Sequence, residues 1–125
     1  MDENEYMNQV SELNNNMSSY DTKNTQYRLM KEKLEESLYE LRRARAELEV
    51  SFYNFDKNFS GDKAKEAKSE LEKKINQLDA MINMLSTKII PEAEAKMAAL
   101  NASMLKTEED LNAVKREYSD NQITE

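Results

Sequence analysis

Catalysis in this chain would have to rest on carboxylates, lysines, tyrosines and serines, because its 125 residues include no cysteine, histidine or tryptophan. That absence removes thiol nucleophiles, imidazole bases, disulfide frameworks and His- or Cys-ligated metal sites together. The densest carboxylate runs are Glu35-Glu36 and Glu108-Glu109-Asp110. Both lie among lysines and arginines at helix-surface spacing, the pattern of solvated ion pairs and not of a catalytic acid and base. A di-metal bundle site wants Glu-x-x-His pairs, and a phosphate-cradling loop wants several glycines where this chain has one. The residues assign no catalytic role, no cofactor and no metal, so the chain reads as a non-enzyme.

Recognition by contact is the chemistry that remains. Tyr39, Arg43, Ala46, Val50 and Tyr53 fall at i, i+4, i+7, i+11 and i+14, one face of a helix. Ala95, Ala98, Ala102 and Leu105 form a second strip, of small residues that permit close helix approach. Taken singly, exposed Tyr and Ala are ordinary surface residues. Their helical spacing makes them candidate partner-binding faces, for a helix from another protein or for self-association.

The elements that carry these strips are legible from the apolar period. One heptad position reads Tyr6, Leu13, Tyr20, Tyr27, Leu34, Leu41, Leu48, Phe55 without a miss. Its companion reads Val10, Met17, Asn24, Lys31, Leu38, Arg45, Phe52, Phe59, with three polar interruptions that could fix register or partner choice. For Lys31 and Arg45, aliphatic stems lying along the seam with heads in water account for the pattern equally. A first helix is expected over about residues 4–57, frayed at its start. Asn14 to Asn24 is poor in helix formers, so Ser18 or Asp21 could cap a fresh helix there, with disorder before Asp21 as the alternative.

Phe59-Ser60-Gly61 holds the only glycine, almost at the midpoint, and is the expected reversal. Asp62 is a plausible N-cap for a second helix over 62–118, with a flexible tail at 119–125. Its seam reads Leu71, Ile75, Leu78, Ile82, Leu85, Ile89 and resumes, shifted by one residue, as Ala93, Met97, Leu100, Met104, Leu111, Val114, Tyr118. Between the two runs stands Pro91, the only proline, with no Gly, Asn or Ser loop beside it, which argues for a kink and not a second reversal. The expected fold is all-α: a single domain over 1–125, an elongated antiparallel helical hairpin, with a three-helix bundle opened by Pro91 as the alternative. Pairing about Gly61 sets Leu48 near Leu71 and Ile75, Leu41 near Leu78 and Ile82, Leu34 near Leu85 and Ile89, and Tyr6 near Val114 and Tyr118.

Charged residues make up 34% of the chain and hydrophobic ones 38%, proportions suited to a narrow seam and not to a thick core. A net charge of -7, with Arg42, Arg43 and Arg45 interleaved among glutamates, argues against nucleic-acid or anionic-membrane partners. The first twenty residues have neither a basic nor an apolar signal region, and no apolar run is long enough to cross a bilayer. The expectation is a cytoplasmic protein without a cleavable signal peptide or membrane insertion.

Phe59-Ser60-Gly61 between two long helices, the Met-rich heptads, the small size and the acidity resemble the Trp-x-Gly, ESX-type helical-hairpin family of bacterial type VII secretion. The small accessory partners of LXG-domain toxins are included in that likeness. It covers roughly residues 22–100, with Phe in place of the family's Trp. Secreted members often carry Tyr-x-x-x-Asp/Glu after the second helix, whereas Tyr118 here is followed by Gln122; Phe52 and Asp56 match such an export-type motif but precede the turn, where core packing plus a surface acid explains them. The resemblance implies an accessory or targeting factor, chaperone-like, that binds an LXG-type effector or a second small helical protein and is itself either retained or co-exported. The competing reading is a structural coiled coil or a prefoldin-like holdase. Prefoldins carry β-hairpins between their helices, and the few residues around Gly61 leave no room for them.

Overall fold

The computed structural model describes residues 1–124. The fold is all-α, an antiparallel helical hairpin. Helix α1 spans Glu3–Asn58; after the turn come α2 (Asp62–Met84), a π-helical turn (Leu85–Ile89) and α3 (Ile90–Thr124). The chain divides into two compact units, one of residues 1–29 with 93–125 and one of residues 30–92. Each unit is built from two antiparallel stretches of helix.

Helix α1 starts where Asp2 caps it: the Glu5 N–H donates to Asp2 Oδ1 at 2.8 Å. Asp-x-x-Glu ahead of a helix satisfies orphan donors of the first turn, and Glu3 and Glu5 complement the positive end of the helix dipole. No fresh helix begins at Ser18 or Asp21. The chain is helical through both, with the Thr22 hydroxyl donating back to the Ser18 carbonyl at 2.9 Å, because the heptad stripe outweighs the poor local propensity.

At the reversal Gly61 has φ 105° and ψ 178° and is itself the N-cap of α2, with no side-chain capping bond. Asp62, expected as the cap, is instead the first helical residue, where its charge meets the helix dipole. A residue with a Cβ cannot reach the Gly61 conformation without strain. Phe59, expected to pack where the arms meet, is 61% exposed and stacks on Phe55 with centroids 4.8 Å apart. The two rings form a local i, i+4 pair, because the chain has left α1 before position 59 can face α2.

Pro91 does not reverse the chain, so the three-helix alternative fails. Proline lacks an N–H and its ring collides with the carbonyl four residues back. The turn just before it is widened: the Ile90 N–H bonds to the Leu85 carbonyl, five residues back. Ser86 and Thr87 donate their hydroxyls to the carbonyls of Ile82 and Asn83, at 2.8 and 2.6 Å. A π turn holds one residue more than the α-helix needs, which is the one-residue shift of the seam from Ile89 to Ala93. Helix α3 then continues to Thr124, past the expected end at residue 118; Glu125, the last residue of the expected tail, lies outside the described residues.

The buried apolar side chains among the described residues are Leu38, Ile90, Ala93 and Leu111. Every other seam residue from Tyr6 to Phe55 is half-buried, as two helices alone require. The space where a Gly61 Cβ would stand is open, with nothing within 4 Å. The cost of replacing it therefore comes from backbone conformation and not from crowding. Gly61→Ala and Gly61→Val should both lower the unfolding free energy by about 1–3 kcal/mol. Urea denaturation should place both at or below the stability of Leu38→Val, which trims a single methylene-sized volume and should cost about 1 kcal/mol.

Candidate functional site

The first candidate strip lies on α1 within the unit of residues 30–92. Tyr39, Ala46 and Tyr53 each follow a seam residue, Leu38, Arg45 and Phe52, and so are turned from the seam by about 100°. The turn is enough to bring them into solvent: Tyr39 is 67%, Val50 60% and Tyr53 65% exposed. Arg43 stands among them with its guanidinium 3.4 Å from Glu47, both side chains in water. The face is apolar at Tyr39, Val50 and Tyr53, small at Ala46 and charged at its margins. The second strip, Ala95, Ala98, Ala102 and Leu105, is exposed on α3 within the other unit. Leu105 is its one large side chain.

Four exposed methionines, Met7, Met30, Met81 and Met84, lie outside the candidate strips expected from the sequence, and two of them stand close together on α2. Met81 and Met84 on α2 are half in solvent, each one residue before a seam position, Ile82 and Leu85. The signal that could have found them is the i, i+3 spacing of apolar residues just outside the stripe.

Two of the three polar interruptions of the seam, Arg45 and Asn24, are bonded between helices. In the unit of residues 30–92, Arg45 Nε donates to Asp79 Oδ1 at 2.8 Å, and its Nη1 reaches Glu49 on the same helix. The hydrogen bond to Asp79, with the charges of Asp79 and Glu49, raises the Arg45 pKa above its ordinary value, so the guanidinium is cationic at any working pH. In the other unit Asn24 Nδ2 donates to Asn101 Oδ1 at 2.8 Å, leaving the buried Asn24 Oδ1 without a partner. There too Tyr6 stacks on Tyr118 at 4.0 Å, as the expected register requires, and Lys96 lies over the Tyr27 ring at 5.6 Å.

The export-type pair Phe52 and Asp56 is engaged by one lysine. Lys68 on α2 lies 5.5 Å over the Phe52 ring and forms an ion pair with Asp56. Both residues thereby act in holding α1 to α2 near the turn. Beside them is an open cleft of about 260 Å³ between Phe55, Phe59, Gly61, Lys65 and Lys68. The three turn-motif residues Phe59, Ser60 and Gly61 are all exposed.

Among the described residues no group of three acidic side chains is placed to hold a metal ion. No described helix is long and apolar enough to cross a membrane. The carboxylates at Glu108, Glu109 and Asp110 are exposed on α3, and Glu35 lies 3.6 Å from Lys31 on its own helix. What these surfaces can do chemically is bury apolar area against another helix. No family model matches the chain, and no curated protein or solved structure does either.

The Arg45–Asp79 bond lies at a half-buried position where an apolar residue would otherwise continue the stripe. Replacing a partly desolvated charge by a well-packed aliphatic side chain is often neutral or favourable, whereas removing only its partner is not. Arg45→Leu should therefore hold or raise the thermal midpoint while Asp79→Ala lowers it slightly, as followed by circular dichroism at 222 nm. Equal losses in the two variants would mean that the bond itself, and not the packing of the seam, carries the stability.

Proposed function

We propose that this protein is a helical docking module serving as an accessory and targeting factor for a toxin exported by a type VII pathway, its partner a helical LXG-type domain or a second small helical protein. The observation that carries the reading is the exposed face of Tyr39, Ala46, Val50 and Tyr53, set on a rigid helix and left over once the seam has been buried. Tyrosine offers a large contact area at low entropic cost and is enriched at interface centres. Ala95, Ala98, Ala102 and Leu105 offer a second helix a close approach of the kind small residues allow. The hairpin turning at Phe59-Ser60-Gly61, with a glycine in a conformation closed to other residues, agrees with the likeness to Trp-x-Gly proteins. Lys68 occupies both members of the Phe52–Asp56 pair, which favours a chain that joins its partner's export over one that carries a free signal of its own. In this role the chain meets its toxin in the cytoplasm and presents a composite surface to the secretion machinery.

Co-purification tests the proposal. The tagged chain should carry the co-encoded helical toxin domain with it, and Tyr39→Ala with Tyr53→Ala should weaken that complex by about 2 kcal/mol or more while helicity is unchanged. Absence of any co-encoded partner, together with undiminished toxin export when the gene is deleted, would leave a self-contained coiled coil as the better account.

A further inference from the structure

Nearly all of the net charge of this chain falls in one of its two units. Residues 1–29 with 93–125 hold six lysines and arginines against twelve aspartates and glutamates; residues 30–92 hold twelve against thirteen. The first unit therefore carries -6 and the second -1 of the chain's -7. Like charge gathered in one unit opposes its closing. The seams differ in the same sense. From Leu71 to Ile89 the stripe of the second arm is leucine and isoleucine alone, whereas on α3 it runs through Ala93, Met97 and Thr107, and α1 contributes Met17, Tyr20 and Asn24 to the same unit. Burial is alike in extent: Leu38 and Ile90 are covered in one unit, Ala93, Thr107 and Leu111 in the other. The apolar area gained is smaller where a methyl group and a hydroxyl-bearing side chain take two of the covered places.

Chain connection separates the units further. Residues 30–92 are one unbroken stretch whose cross-helix bonds close short loops, Lys68 to Asp56 over 12 residues and Arg45 to Asp79 over 34. The other unit joins two stretches with all of residues 30–92 between them, and its Asn24–Asn101 bond spans 77. Closing the longer loop costs more entropy unless the shorter one has already formed. Asn14 to Asn24, poor in helix formers, is held helical by its stripe. The buried Asn24 Oδ1 has no partner and regains a hydrogen bond from water once the seam parts. Against this stand the Tyr6–Tyr118 stack and Lys96 over the Tyr27 ring, contacts of modest worth at a wet seam. We infer that the unit of residues 1–29 and 93–125 opens reversibly while residues 30–92 stay folded, and that its own negative charge favours the opening. The dependence runs one way: residues 30–92 fold without the other unit, which does not close without them. Opening bares Met17, Tyr20 and Tyr27, whereas the face of Tyr39 and Tyr53 remains on folded helix.

Amide hydrogen exchange of the full chain, followed residue by residue, tests this. At low salt, protection around Leu13–Tyr20 and Leu100–Leu111 should be at least about tenfold lower than around Leu34–Leu48 and Leu71–Ile82. Sodium chloride at about 0.5 M should slow exchange in the first set severalfold by screening the like charges. Asn24→Leu should slow it too, by removing the unpaired acceptor and continuing the stripe. Leu38→Val is the decisive variant. It should speed exchange in the second set by about fivefold and leave the first unchanged, because the first set exchanges through an opening in which Leu38 stays packed. Equal protection in the two sets, a first set indifferent to salt, or Leu38→Val speeding both sets alike would each overturn the inference. Toxin binding plays no part in the exchange of the free chain, so the docking role stands or falls apart from this result.

Discussion

Two helices can bury only one stripe from each other, and that constraint governs everything else in this protein. The residues in the stripe are protected to a degree set by geometry, and only Leu38, Ile90, Ala93 and Leu111 are buried among the apolar side chains described. Stability consequently comes from many half-buried contacts of modest worth, and the seam tolerates polar residues that a thick core would reject. Arg45 and Asn24 sit at seam positions because water is one side-chain length away and because each finds a partner on the facing helix, Asp79 and Asn101. Such bonds add little energy where they are wet. They are directional, however, and an apolar stripe that repeats every seven residues can slip by one repeat at small cost. A polar pair that matches in only one alignment is the means by which a periodic seam acquires a single register.

The same economy explains how the second arm accommodates proline. In a globular protein Pro91 would be expected to end a helix, since it forfeits a backbone bond and crowds the preceding turn. Here the helix must continue, because α3 carries half of the seam of its unit. A π turn at Leu85–Ile89 resolves the conflict: the widened turn relieves the ring, and the hydroxyls of Ser86 and Thr87 bond to carbonyls one turn back. The added residue would rotate the rest of the stripe away from α1 by about 100°, were the apolar residues not themselves displaced by one. They are: Ile89 is followed by Ala93 four residues on, where the alternation would call for three. Backbone defect and sequence shift are two sides of a single insertion.

The arms and their period were therefore plain in the residues, and so was the reversal at Gly61, because both rest on local rules of periodicity and φ. The one-residue shift was visible too, but a proline beside it suggested only a kink, and the combination of phase shift with proline is what names a π turn. Other features were misjudged where capping or exposure depends on a few degrees of backbone. Asp62 looked like the cap because aspartate caps helices; the extended ψ of Gly61 put the cap one residue earlier. Phe59 continued the heptad on paper, but α1 ends at Asn58, so its ring stacks on Phe55 and stays in water. Asp2 and Glu5 formed a capping pair ahead of a weak helical segment and were passed over for Ser18 and Asp21. Tyr39, Val50 and Tyr53 are exposed because, on the regular helix α1, a step of one or two residues turns a side chain out of the seam.

What distinguishes this chain from any other pair of helices therefore lies outside the seam. A heptad stripe specifies an antiparallel partner and nothing more, and its composition is bound by packing. Residues turned away from it are under no such constraint, and a solvated helix face is most cheaply filled with Glu, Lys, Gln and Arg. Tyr39, Val50 and Tyr53 depart from that default together, at one angle, around the alanine at 46. Neither helix propensity nor the stability of the hairpin asks for two tyrosines there, since aromatic residues are weaker helix formers than the charged residues they displace. Large apolar residues gathered on one exposed helix face, outside the seam, are the feature on which the proposed docking role rests.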